Sequence, residues 1–288
     1  MNRRVRSGLS TFGRSAGFSL IELMIALVLG LMVIGAAFVM FQSNRNSFRA
    51  AEGVNRIQEG ARVAFELMSA DIRSTGGGGC SSSSTVETTG DLSLAYRDAP
   101  ISGSGSELTL VSGEDAAYKV TASTTTSVTL DATQIDDATE VFEAEDVILL
   151  CNARKSYVVE VVSVDASTIT FAALPESYNL TDDERVPPSS VVVARLRSTR
   201  WYVADNPRGG SSLYVSRFGQ AGEEVVEGVQ SVAFSYLPLG SSSYTATPGV
   251  WTDIIGVRAD LVLEGENVDG KALTRRTSNV VSLRSRTL

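Results

Sequence analysis

The sequence predicts an α+β fold: one long N-terminal α-helix, membrane-spanning in its first half, packed on an antiparallel β-rich globular domain. Three observations predict it. An uncharged apolar run follows a basic N-terminus, a helical apolar stripe continues beyond that run, and everything after Cys80 reads as short β-segments between turn residues. The chain of 288 residues is 43% hydrophobic and 20% charged, which gives enough apolar material to bury a core.

The first element is the basic leader. Residues 1–17 carry Arg3, Arg4, Arg6 and Arg14 and no acid, a charge of +4 in a chain whose formal net charge is −8. Nineteen uncharged residues then run from Leu23 to Phe41. As a helix they span about 29 Å, close to the ~30 Å hydrocarbon core of a bilayer. The arginines hold the N-terminal end in the cytoplasm, so the rest of the chain is expected across the membrane. The run is too long for an ordinary secretory signal, and no small-x-small cleavage site follows it. Instead the small residue Gly17 precedes the run, and one carboxylate, Glu22, lies at its start. A lone acid in a spanning segment is costly and marks a functional position.

The second element is the continuation of the helix. Ile57, Ala61, Ala64, Phe65, Met68 and Ile72 form one apolar stripe, and Gly76–Gly79 end it. A helix from Phe18 to about Thr75 would measure about 87 Å. Arg62 and Glu66, off the stripe, are spaced as an i,i+4 ion pair. Gly30, Gly35, Gly53 and Gly60 are soft points for bending, and close packing of neighbouring helices explains Gly30 and Gly35 at least as well.

The third element is the β-rich part. Strands are expected at 108–111, 147–151, 157–164, 168–171, 191–196, 213–218, 229–236, 254–263 and 280–283. Ser81–Ser84, Ser102–Ser106 and Ser241–Ser243 read as flexible connections. Cys80 and Cys151 are the only cysteines and both fall beyond the membrane run. An extracytoplasmic pair is expected to form a disulfide, worth about 4 kcal/mol for a loop of this length; buried free thiols or a redox site are the alternatives.

Composition removes much enzymology. The chain has no histidine, which excludes Ser-His-Asp and Cys-His catalysis and histidine-ligated metals; two cysteines cannot supply a four-thiolate site. No catalytic constellation and no cofactor is expected, and the acidic balance argues against generic nucleic-acid binding. Asp136 and Asp137, in an acidic run to Asp146, and Asp182 and Asp183 are calcium candidates, but they lack the EF-hand spacing and read better as solvated loops. Trp201, Tyr202, Tyr214 and Tyr244 suit either a sugar- or surface-binding patch or a sheet core. Arg275, Arg276, Arg284 and Arg286 make the C-terminus basic; pairing with acids of an adjacent subunit explains them better than a DNA contact.

Gly17-Phe18-Ser19-Leu20-Ile21-Glu22-Leu23 resembles the processing site of type IV prepilins and type II secretion pseudopilins. The resemblance implies a type IV pilin-like fold, cleavage between Gly17 and Phe18 by a prepilin peptidase/methyltransferase, and N-methylation of Phe18. Glu22 would then pair with the N-terminal amine of a neighbouring subunit during assembly, relieving two charges otherwise stranded in an apolar bundle. On this reading Glu22→Ala leaves cleavage intact but lowers incorporation into filaments. Ile57–Phe65, Asp71–Arg73 and the glycines before Cys80, with Val226–Tyr236, Trp251, Val257–Leu263 and Val280–Arg286, resemble the PilW branch of minor pilins. The likeness covers about 13–80 and 222–288, while 86–221 matches no known pattern.

The domains expected are therefore a leader (1–17), a transmembrane or filament-core half-helix (18–43), an extramembrane half with its glycine-rich exit (44–79), and a β-rich domain (80–288) elaborated at about 86–185. The resemblance implies a minor type IV pilin that helps initiate filament assembly near the tip. The alternatives are a J-like minor pseudopilin of a type II secretion system, or a tip adhesin or DNA-contacting pilin. Expected partners are the peptidase, other minor and major pilins, the inner-membrane assembly platform, and the membrane through a single N-terminal helix. The chain would sit in the inner membrane with a periplasmic globular domain, and afterwards in the pilus at the cell surface.

Overall fold

The computed structural model describes residues 17, 19–78, 85–87, 91–152, 154–174, 191–218, 220–268 and 271–286. It divides into two units, residues 1–52 and 53–288. One α-helix, α1 (Leu20–Ser74), runs through both, and no break occurs at any of its glycines. In the first unit α1 is exposed on every side through its apolar run. Arg45 lies over the Phe41 ring at 5.9 Å, one turn along the helix.

In the second unit α1 buries one stripe, Ile57, Ala61, Ala64, Met68 and Ile72, together with Gly53 and Ser69. Phe65, expected in that stripe, is only half-buried. Gly53 and Gly60 both lie where strands come close to the helix. A side chain on Gly60 would meet Val226 Cγ1 at 2.8 Å, and the Gly53 carbonyl oxygen lies 3.1 Å from where a Cβ on Gly265 would be. These glycines let strands approach the helix backbone. Arg62 and Glu66, spaced for an ion pair, form none among the described residues.

The helix ends as its glycines demand. Gly76 takes φ +68 and its N–H donates to the Val111 carbonyl at 2.9 Å. Gly113 N–H donates to the Gly77 carbonyl at 2.7 Å, and Gly78 (φ +127) lies so close that a Cβ there would sit 2.5 Å from Gly113 Cα. The two bare backbones touch, and that contact seats the helix exit against the sheet.

The strands are β1 (Thr85–Val86), β2 (Ile101–Gly103), β3 (Glu107–Ser123), β4 (Ser127–Leu130), β5 (Val147–Cys151), β6 (Lys155–Val164), β7 (Thr168–Phe171), β8 (Val192–Asp205), β9 (Ser211–Arg217), β10 (Glu223–Glu227), β11 (Val229–Pro238), β12 (Ile254–Val268) and β13 (Lys271–Ser282). A short helix α2 (Asp91–Asp98) precedes β2. Each of the nine expected strands falls on an observed one. Ser102–Ser106, expected as a flexible connection, instead forms the end of β2 and a tight turn closed by Ser104 N–H to the Glu107 carbonyl. Ser241–Ser243 lies in the loop between β11 and β12, and Ser81–Ser84 lies outside the described residues.

Two sheets flank α1 residues 57–72. The smaller has order β11-β12-β13, all antiparallel; the larger contributes Leu108, Leu110, Trp201, Leu213 and Val215. The larger sheet does more than extend. β3 pairs with β8, β8 with β5, β5 with β6, β6 with β7, β7 with β4, and β4 returns to β3. These six antiparallel strands close into a barrel. Its interior is filled by Val120, Val128, Ile148, Tyr157, Ile169 and Phe171 among others, with Phe142 plugging it behind a 3₁₀ turn at Ala138–Glu140. β3 and β8 are long because each serves both the helix-bearing sheet and the barrel, and the β3–β8 register shifts between Gly113 and Ala117 where one passes into the other. β5 is buried on both faces: Ile148 and Leu150 point into the barrel, while Leu149 packs under α2 with Tyr96 and Leu196.

Candidate functional site: the processing segment and the start of the helix

Gly17 is exposed, and a Cβ built on it meets nothing within 4 Å. No described residue requires Gly17 to be small. Phe18 lies outside the described residues. α1 starts at Leu20, with Leu23 N–H donating to the Ser19 carbonyl at 3.1 Å. Glu22 is in the first turn, where a carboxylate meets the positive end of the helix dipole, and it is exposed. Among the described residues it has no hydrogen-bond or ion-pair partner. The apolar side chains that follow, from Leu20 at 78% to Phe41 at 60%, are exposed to an extent that no water-soluble helix sustains.

A segment with a small residue at its entrance, an acid in the first turn and a wholly uncovered apolar surface can do one thing physically. It can lie in hydrocarbon or among like helices. Residues 13–38 match the family model for the prokaryotic N-terminal methylation motif. No curated protein and no solved structure matches the chain. The motif supports a type IV pilin-like chain, processed by a prepilin peptidase and anchored in a membrane by its N-terminal helix.

The remaining candidates divide. Cys151 is fully buried at the end of β5 and is not a free thiol; Cys80 lies outside the described residues. Asp136 is exposed. Asp137 caps the 3₁₀ turn, accepting from Thr139 N–H at 2.9 Å and Thr139 Oγ1 at 2.6 Å, and these bonds hold its carboxyl below the usual range. Asp146 accepts from Arg195 Nη2 at 3.1 Å and from Glu143 N–H at 2.9 Å. Among the described residues no three acidic or thiol groups converge as a metal site, and Asp182 and Asp183 lie outside them.

The aromatic set also splits. Trp201 is core. Tyr202 and Tyr214 stack at 5.8 Å, with Arg200 over Tyr202 at 4.7 Å and paired to Glu107 at 2.7 Å. Tyr244 stands apart in the loop between β11 and β12. Of the C-terminal arginines, Arg275 and Arg276 lie exposed on β13, and Arg284 begins a closing 3₁₀ turn.

One group escaped the sequence reading. Asp71 accepts from Arg197 Nη2 at 3.0 Å and from Trp201 Nε1 at 3.0 Å, and Arg197 also donates to Ser74 Oγ at 3.2 Å. Burial pushes the Asp71 carboxyl up, and Arg197 and Trp201 oppose that only in part. The signal was available: Asp71 falls fourteen residues after Ile57, almost four turns, and so lies on the buried stripe.

Proposed function

We propose that the chain is a minor type IV pilin of the PilW-like branch. A prepilin peptidase/methyltransferase cuts between Gly17 and Phe18 and methylates Phe18. The subunit then waits in the inner membrane, its N-terminus cytoplasmic and its globular domain periplasmic, with Cys80 and Cys151 bridged. Glu22 pairs with the N-terminal amine of a neighbour as the chain joins other minor and major pilins at the assembly platform, and it helps start the filament near the tip.

One observation carries this reading. Apolar residues 20–41 of α1 are uncovered on all sides and lie largely within the methylation-motif match at 13–38, while the same helix from Gly53 onward buries one face in its own domain. A subunit so built must exchange lipid for neighbouring helices to leave the membrane. The closed barrel, with five of its six strands inside residues 86–185, favours a further contact role for that region at the tip. The test is the amount of surface pili sheared from a strain lacking the gene, in a background that cannot retract them. Loss of pili, restored by the wild-type gene, supports a priming minor pilin. Unchanged pili with reduced exoprotein release instead identify a type II secretion pseudopilin.

A further inference from the structure

We infer that a groove between α1 and β13 is a docking surface for the acidic barrel of a second copy of this chain. The groove, about 440 Å³, has an apolar floor of Val54, Ile57, Ala61 and Phe65. Arg62, Arg275 and Arg276 surround it, all exposed, and none forms an ion pair among the described residues. Arg62 has an acid in reach by sequence, Glu66, and does not use it. Arg275 shares the inner face of the sheet with Leu263, its register partner, so its guanidinium faces the groove beside the helix instead of the outer surface. Arg62 and Arg275, unpaired beside an apolar floor, with Arg276 next to them on the outer face of β13 opposite Val262, in a chain of net charge −8, call for an anionic occupant that also covers apolar surface.

The chain carries such an occupant. Residues 117–171 hold nine acids against three bases. Three of the nine are committed within the barrel: Asp131 to Lys119, Asp146 to Arg195, and Asp137 to its turn. Asp136, Glu140, Glu143 and Glu145 are exposed with no ion pair among the described residues, and the small apolar Ala144 stands exposed between the last two. No barrel residue lines the groove, so within one copy the two charged surfaces are separate. A surface joined to a different surface of the next copy is a heterologous contact, the kind that propagates as an open filament. The inference concerns the folded domain and does not depend on cleavage at Gly17.

The test uses the full-length chain, co-expressed with two different tags and extracted in detergent, with copurification of the second tag as the readout. Wild type copurifies. Arg275→Glu with Arg276→Glu, or Glu140→Arg with Glu143→Arg, lowers copurification about tenfold, as like charges meet. Combining all four substitutions recovers it. The four positions are exposed, so the fold tolerates them, and the apolar helix is the same in every variant. Absence of copurification in wild type, insensitivity to either reversal, or loss that the four-fold swap does not recover overturns the proposal. The last outcome would assign the groove to a different acidic subunit.

Discussion

The two halves of α1 are one helix in two environments. From Gly53 to Ser74 it satisfies itself: Ala64, Met68 and Ile72 are at most 1% exposed, and its glycines are matched to strands that touch them. From Leu20 to Phe41 every residue is exposed, and side chains added to Gly30 or Gly35 would meet no described residue within 4 Å. In water such a half would not persist; its stability must come from lipid or from neighbouring subunits. The contrast teaches that the same residue type has opposite meanings along one helix. Gly60 is small for its own domain, whereas no described residue comes within 4 Å of a Cβ on Gly17, Gly30 or Gly35.

The largest expected effect is at the entrance. Gly17→Val should leave the leader attached while the globular domain folds normally, since no described residue comes within 4 Å of a Cβ there. Intact mass of the membrane-extracted chain measures it, and a mature mass in the variant would show that the position is not read by the peptidase.

Next comes a matched pair of truncations. Met68→Ala should lower the stability of the globular unit by about 2–5 kcal/mol through a cavity between α1 and the sheets. Val33→Ala should leave its denaturation midpoint unchanged, because Val33 is 68% exposed. Equal effects from both would abolish the distinction between the halves.

Asp71→Asn should not lower the stability of the globular unit at neutral pH, because burial costs the ionised carboxylate more than Arg197 and Trp201 return, and the amide keeps an acceptor for Trp201. It should change the pH dependence. The carboxyl of Asp71 is raised in the folded chain, so the folded state holds its proton to higher pH than the unfolded state. The stability this group contributes is full below its ordinary value of 3.8 and is lost as pH rises through the raised folded value. Denaturation midpoints across that acidic window should fall more steeply with pH in the wild type than in Asp71→Asn; parallel curves would contradict the assignment.

The smallest effect sharpens the role of the glycines. Gly60→Val should destabilise the globular unit by about 1–3 kcal/mol, because Val226 cannot yield easily. Gly35→Val should leave that unit's melting unaltered. A stabilised Gly60→Val would mean that helix propensity outweighs the contact and that Gly60 is a soft point after all.

The helix, its terminus and the positions of nine strands were legible because each rests on local pattern: a 3.6-residue stripe ending at glycines, and β-branched runs between turns. The barrel was not. Its closure depends on β3 pairing with β8 some eighty residues away, and on both strands outrunning the four- and six-residue segments that their apolar patterns mark. Tyr157 and Phe142 inside it look no different in sequence from residues of an open sheet. At the candidate site, the methylation motif around Gly17 and Glu22 was readable because it stands in fixed register with the start of the apolar helix. The Asp71–Arg197 pair was hidden by its sequence separation, and the Arg62–Glu66 spacing misled because Arg62 has β13 beside it.

The most direct measurement of the central claim is the intact mass and N-terminal residue of the chain recovered from cells with and without an active prepilin peptidase. The account predicts a chain that has lost residues 1–17 and begins with N-methylated Phe18 when the peptidase is present, and the full 288 residues when it is absent. A full-length chain in both, or cleavage on the C-terminal side of the apolar run, would contradict it.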